Sequence, residues 1–248
     1  MTPEPGTIAR RLLPWFRRHG RHDLPWQRDP TPYRVWISEV MLQQTQVATV
    51  SPYYQRFLRR FPDTAALAAA RLDDVLGLWA GLGYYARGRN LHRAAREIVA
   101  RHGGKLPRSL EGLLSLPGIG RSTAGAILAL AHGARHPILD GNVKRVLARL
   151  FLVRKPPAEA SAALWELAER CTPRARVAEY TQAIMDLGAT LCVRRRPACE
   201  RCPLRGDCGA RAAGLVDELP ARRHRPPRNM QRTHMVFVQK GGRVLLRR

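Results

Sequence analysis

Four cysteines fall within seventeen residues, Cys192, Cys199, Cys202 and Cys208, separated by six, two and five residues. Four thiolates this close can converge on one inorganic centre, the short arm spanning an edge and the longer arms wrapping around it. Zinc competes for this pattern, since sites of four cysteines are common for it, although zinc ribbons usually pair two short arms and here there is one. The clustering, in a chain with no export signal, argues for metal ligation over disulfides. The fifth cysteine, Cys171, stands apart and reads as a small core residue. Arg194, Arg195 and Arg196 lie between the first two ligands. A centre that fixes their loop would present them to phosphates as a comb, where the plainer reading is a solvated basic turn.

Two carboxylates sit in settings that invite chemistry. Asp140 ends the apolar run His136-Pro137-Ile138-Leu139 and precedes an amphipathic stretch marked by Val143, Val146, Leu147 and Leu150. It is a natural helix N-cap, and capping aspartates are commonplace. Glu39 lies among Ile37, Val40, Met41 and Val47, which form a core stripe, while Glu39, Gln43 and Gln46 share another face of the same expected helix. Desolvation would raise the pKa of such a glutamate and suit it to general-acid work near neutral pH; a surface-facing glutamate is the bland alternative.

Leu116-Pro117-Gly118-Ile119-Gly120 joins two helical stretches. Two glycines in so tight a turn permit positive φ and leave backbone N–H groups uncovered at a helix start, an arrangement that holds phosphate without reading sequence. An ordinary inter-helix turn would look similar. The composition favours the phosphate reading: 43 Lys and Arg against 19 acids give the 248-residue chain a net charge of +24. That excess calls for a polyanion, with nucleic acid ahead of an anionic membrane surface, though a GC-rich genome would also inflate arginine. There is no apolar run of transmembrane length and no signal-peptide pattern, so the expectation is a cytoplasmic bacterial protein.

The elements that must position these residues are helical. Apolar residues three or four apart predict helices near 8–19, 32–48, 51–60, 64–69, 72–79, 87–102, 109–115, 121–132, 142–151, 158–170 and 176–189. The class is all-α through about residue 213. Residues 214–232, with Pro220, Arg222, Arg223, Arg225, Pro226, Pro227 and Arg228, read as a basic, Pro-rich linker. Beyond it, alternation around Gly241-Gly242 predicts a β-hairpin over 233–248, as if a second, β-containing domain were cut off at its opening.

Taken together, these stretches resemble the adenine DNA glycosylases of the helix-hairpin-helix superfamily. The matching text is Leu24-Pro25-Trp26, Ser38 through Val47, Gly81 through Arg87, Leu116 through Ala126, Ile138 through Arg145, Met185 through Ala189 and the four cysteines, spanning about residues 8 to 210. The resemblance implies a [4Fe-4S] cluster rather than zinc. It implies two helical lobes around a DNA-binding cleft: residues 25–135 as a six-helix lobe carrying the hairpin, and 1–24 with 136–213 as the cluster lobe. Glu39 and Asp140 would face each other across that cleft.

The same resemblance implies roles. Glu39 protonates adenine at N7, Asp140 stays ionised and stabilises an oxocarbenium-like sugar, and Asn142 helps position water or base. The adenine must first leave the stack, at a lower cost in a mispair. Gln44 and Tyr84 match residues that fill the duplex, Tyr84 by stacking. Gly118, Gly120, Ser122 and the three loop arginines contact DNA. Bifunctional relatives such as endonuclease III carry a Schiff-base lysine in the hairpin block, where this chain has Ser122, so base removal without strand cleavage is expected. The implied partner of this monomer is duplex DNA with adenine opposite 8-oxoguanine or guanine. Family members continue into a Nudix-like domain that reads 8-oxoguanine, and residues 233–248 would be its start. An endonuclease III-like glycosylase/lyase for oxidised pyrimidines and a non-enzymatic DNA-binding module are the alternatives.

Overall fold

Proline opens the first helix, α1 (Pro5–His19), where its missing N–H costs nothing. Ile8, Leu12 and Phe16 bury one face, and Arg17, Arg18 and His19 complement the dipole at its end. The computed structural model describes residues 4–221 and 238–244. After a 3₁₀ turn at Pro25–Gln27 come α2 (Pro32–Leu42), α3 (Val47–Arg60), α4 (Thr64–Ala69), α5 (Leu72–Trp79), α6 (Ala86–His102), α7 (Leu110–Leu114) and α8 (Arg121–His132). Side chains of Thr31, Asp63 and Ser109 cap α2, α4 and α7. The chain then forms α9 (Gly141–Leu150), α10 (Ser161–Cys171), α11 (Val177–Thr190) and the short α12 (Gly209–Ala212).

Two cores result. Trp36, Phe57, Phe61, Trp79, Leu91 and Ile98 centre the first, built from α2 to α8. Ile8, Leu12, Leu147, Leu164, Ile184 and Leu187 centre the second, where α1 packs on α10 and α11 although nearly the whole first lobe separates them in sequence. Helix α8 serves both: Ala124, Ile127 and Leu128 face the first core and Ala126 the second. Gly125 permits this sharing, since a Cβ there would meet the Pro137 carbonyl oxygen at 2.3 Å.

The expected helix over 32–48 is in fact two. α2 stops at Leu42, Gln44 takes left-handed backbone at φ 59°, and α3 begins at Val47 and runs through Pro52. At the break, Arg87 of α6 donates to the carbonyls of Val40, Met41 and Gln43, satisfying acceptors that the end of the helix leaves unpaired. Gln46 therefore leaves the helix that carries Glu39, while Gln43 stays at its C-cap one turn after Glu39, and all three line one cavity.

Packing also continues past residue 213. Leu215 N–H bonds to the Ala210 carbonyl, and Leu219 is buried with its carbonyl accepting from Arg149 at 2.8 Å. Residues 214–221 thus belong to the second lobe rather than to a linker; 222–232 lie outside the described residues. Across Gly241-Gly242, β1 (Gln239–Lys240) pairs antiparallel with β2 (Arg243–Val244). The rest of the expected hairpin, 233–237 and 245–248, also lies outside them. No helix of the described residues is long and apolar enough to cross a membrane.

Candidate active site

A cavity of about 790 Å3 opens between the lobes. α2 contributes Glu39 and the turn after it contributes Gln43, Gln44, Thr45 and Gln46; Ser122 comes from the first turn of α8, Asp140 and Asn142 from the start of α9, and Gln182 and Met185 from α11. Its size is that of a small-molecule pocket. Tyr84, Gly118, Gly120 and Arg194 to Arg196 are exposed outside this cavity, and the four cysteines line a different one.

The two carboxyls have unlike surroundings. Glu39 has no hydrogen-bond partner among the described residues; burial, and secondarily the charge of Asp140, push its pKa up to about 8. Burial also raises that of Asp140, but the Val143 N–H at 2.7 Å, the Asn142 amide at 3.2 Å and the Arg145 charge oppose it. Of the pair, the half-buried and unbonded Glu39 is the better proton holder and the bonded Asp140 the better charge holder. Asp140 is also the N-cap of α9, so the capping and the chemical readings coincide in one side chain.

Behind Asp140 runs a chain of contacts that sequence spacing alone did not reveal. Asn142 Oδ1 accepts from Arg145 Nη2 at 2.8 Å, and Arg145 also donates to the Gly188 carbonyl at 2.6 Å and the Cys192 carbonyl at 2.7 Å. Arg149, one helical turn on and 2% exposed, donates to the Val193 carbonyl at 2.7 Å and lies 3.4 Å from Cys192 Sγ. In a chain so rich in arginine, neither residue stands out in the sequence. The spacing of Asn142 and Arg145, one turn apart, was the available clue. Arg21 and the fully buried Asp186, 2.6 Å apart, likewise pin the chain entering the first lobe to α11.

Helices α9 and α11 meet at Gly188, where a Cβ would lie 2.7 Å from Asn142 Cβ and 3.1 Å from its backbone. Gly188→Ala should displace Asn142 from Asp140 and cost about 1–3 kcal/mol of stability, which thermal melts check.

Cys192, Cys199, Cys202 and Cys208 surround one void together with Arg149 and Arg211. Among the described residues, no three His, Cys, Asp or Glu side chains are grouped to hold a single metal ion. Cys171 is buried in the second core, and burial pushes its thiol up to about 12, which keeps it inert.

In the hairpin, Gly118 alone of the two glycines needs its freedom, with φ 79° and a Cβ that would clash with Asn90 at 2.8 Å. Gly120 is extended at the N-cap of α8 and offers no side chain to cover the N–H groups of that helix's first turn. Ser122 Oγ accepts from the Leu139 N–H at 3.0 Å, tying the hairpin helix to the segment that carries Asp140.

Comparison with known proteins agrees with this architecture. Residues 37–170 match the family described as HhH-GPD superfamily base excision DNA repair protein. An adenine DNA glycosylase from Buchnera aphidicola is 43% identical over 213 residues, 84% of this chain and 60% of its own length. The human adenine DNA glycosylase is 47% identical over 221 residues, 85% of this chain and 40% of its own. The chain thus spans about 60% or less of these relatives. The structure of a thermostable thymine-DNA glycosylase superposes with a TM-score of 0.77 at 26% identity, covering 85% of this chain and 97% of that one. With two helical lobes, a glycine hairpin leading into α8 and paired carboxyls in the cleft between them, the chain belongs to the helix-hairpin-helix GPD superfamily of base excision DNA repair proteins.

Proposed function

We propose that this protein is a monofunctional adenine DNA glycosylase, hydrolysing the N-glycosidic bond of adenine opposite 8-oxoguanine or guanine in duplex DNA. The observation that carries this reading is the pair of carboxyls in one cavity, Glu39 with its pKa pushed up to about 8 and Asp140 held by the Val143 N–H, the Asn142 amide and the charge of Arg145. The relatives named above supply the base: 43% and 47% identity to adenine DNA glycosylases. In this reading it acts as a monomer in the bacterial cytoplasm.

The adenine swings out of the stack while Gln44 and Tyr84 fill the gap it leaves. Glu39 donates its proton to N7 as the bond from the sugar to N9 breaks, so the electron pair leaves on a neutral base. The Asp140 carboxylate faces the positive charge growing on the sugar, Asn142 orients the attacking water, and the water's proton passes to a carboxylate. The N–H groups at Gly118 and Gly120, with Ser122 and the loop arginines, grip the backbone on either side.

The cysteine void fits a [4Fe-4S] cluster. Four thiol side chains enclose one space, and the buried Arg149 guanidinium lies 3.4 Å from Cys192 Sγ, as suits a neighbour of net negative charge. Cys192, Cys199, Cys202 and Cys208 would hold it, and bound there it would supply a rigid anchor for the loop of Arg194 to Arg196. Purified protein should carry iron and inorganic sulfide in equal amounts, four of each per chain; stoichiometric zinc instead would contradict the assignment.

Incubation with a duplex holding one adenine–guanine mispair should release free adenine and leave an abasic site that breaks only under alkali. Release of an oxidised pyrimidine with strand nicking would instead support the endonuclease III-like reading. Ser122→Lys should make the enzyme trappable on DNA with borohydride, because the amine can attack the sugar. It should also slow base release by about tenfold, because the Leu139 N–H loses its acceptor and Asp140 shifts. A wild-type protein that already traps efficiently would contradict the monofunctional reading.

A further inference from the structure

Gln44 and Tyr84 sit on loops far apart in sequence, yet both are exposed and both hold left-handed backbone, at φ 59° and φ 47°. Neither residue type favours that region, so something must hold each in place. One buried side chain lies beneath both. Arg87 of α6 is 9% exposed. Its Nη1 donates to the carbonyls of Val40 and Met41, each at 2.9 Å, and of Gln43 at 2.6 Å. Its Nη2 donates to Thr45 Oγ1 at 3.1 Å and to the carbonyls of Leu82 at 3.1 Å and Gly83 at 3.3 Å.

These acceptors bracket the two exposed residues. Gln43 and Thr45 flank Gln44, and Leu82 and Gly83 immediately precede Tyr84. The guanidinium also lies 5.5 Å from the centre of the Tyr84 ring and 5.4 Å from that of Trp79, whose indole N–H donates to the Gly83 carbonyl at 3.1 Å. Arg87 has no ion-pair partner among the described residues; the carbonyls at the C-terminal end of α2, negative in the helix dipole, compensate it instead. Only a planar fork with several donors meets both acceptor sets from one position, which a lysine ammonium cannot do. Arg87 does not line the cavity of Glu39 and Asp140.

We propose that Arg87 is a positioning residue that couples the two loops, so that Gln44 and Tyr84 enter the duplex as one rigid unit when the target base leaves. This rests on the reading of Gln44 and Tyr84 as the residues that fill the duplex.

The test uses 2-aminopurine at the target position, whose fluorescence rises on unstacking, with single-turnover excision and DNA affinity measured alongside. Arg87→Lys should cut the extrusion signal and the excision rate by between about 10- and 100-fold. The pH at which excision declines, set by Glu39, should not move. In a Gln44→Ala/Tyr84→Ala background the same substitution should add less than about threefold, since residues acting through one another are non-additive. If Arg87→Lys does not fold, Thr45→Val removes one acceptor and should cost about threefold in extrusion in the native background and nothing in the double-alanine one. A full, additive loss from either substitution in the double-alanine background overturns the coupling while leaving the duplex-filling roles standing. Unchanged extrusion in the double-alanine protein overturns those roles, and the coupling with them.

Discussion

Glu39→Gln should abolish excision, by about 10²- to 10⁴-fold or more, while duplex affinity stays within about threefold of wild type. The substitution keeps the shape of the side chain and removes the transferable proton. It also carries a stability signature that a bystander glutamate would lack. Between pH 4.5 and about 8 the unfolded chain releases this proton and the folded protein keeps it. The unfolded state therefore binds fewer protons across that window, and stability falls as pH rises through it. Glutamine escapes this penalty, so the variant should gain on the order of 2–4 kcal/mol above pH 8, roughly 5–10 °C in Tm, and nothing at pH 4. Melting curves at the two pH values read this directly: equal Tm for both proteins at pH 8 would place Glu39 in solvent and remove its claim to be the acid. Wild-type excision should decline above about pH 8 as Glu39 loses its proton.

Asp140→Asn separates the two roles that coincide in that side chain. Asparagine caps a helix about as well as aspartate, so α9 should keep its start and the protein its Tm to within about 1 kcal/mol. The negative charge facing the sugar is gone, and excision should fall by about 10²- to 10³-fold. The acid-side decline in rate, where Asp140 takes up a proton, should vanish with it, leaving only the alkaline limit of Glu39. A large loss of Tm with little loss of rate in the surviving folded protein would make Asp140 a cap and nothing more.

Local features were readable before any coordinates. The cysteine spacing, the capping aspartate and the proline-glycine hairpin depend on residues within a turn or two of each other, and most helices ended where Gly or Pro ended their pattern. What failed was non-local. The run from Ile37 to Val47 keeps helical spacing, yet the helix ends at Leu42, and the carbonyls of the turn that carries Gln44 are held by Arg87 from a distant helix. The apolar spacing of α9 says nothing of its arginines, yet Arg149 is buried and Arg145 joins Asn142 to the Cys192 loop. In a chain of net charge +24, one more arginine carries no signal of burial. The meeting of Glu39 with Asp140 also has no trace in spacing, because it arises from two lobes closing on one cavity. Family resemblance alone anticipated it.

The most direct test of the whole account is single-turnover excision from four duplexes that differ only in the base opposite adenine: 8-oxoguanine, guanine, cytosine and thymine. The account predicts free adenine from the 8-oxoguanine and guanine duplexes and little from the cytosine and thymine duplexes, with Glu39→Gln silent on all four. Equal release from all four, or release that survives Glu39→Gln, would contradict it.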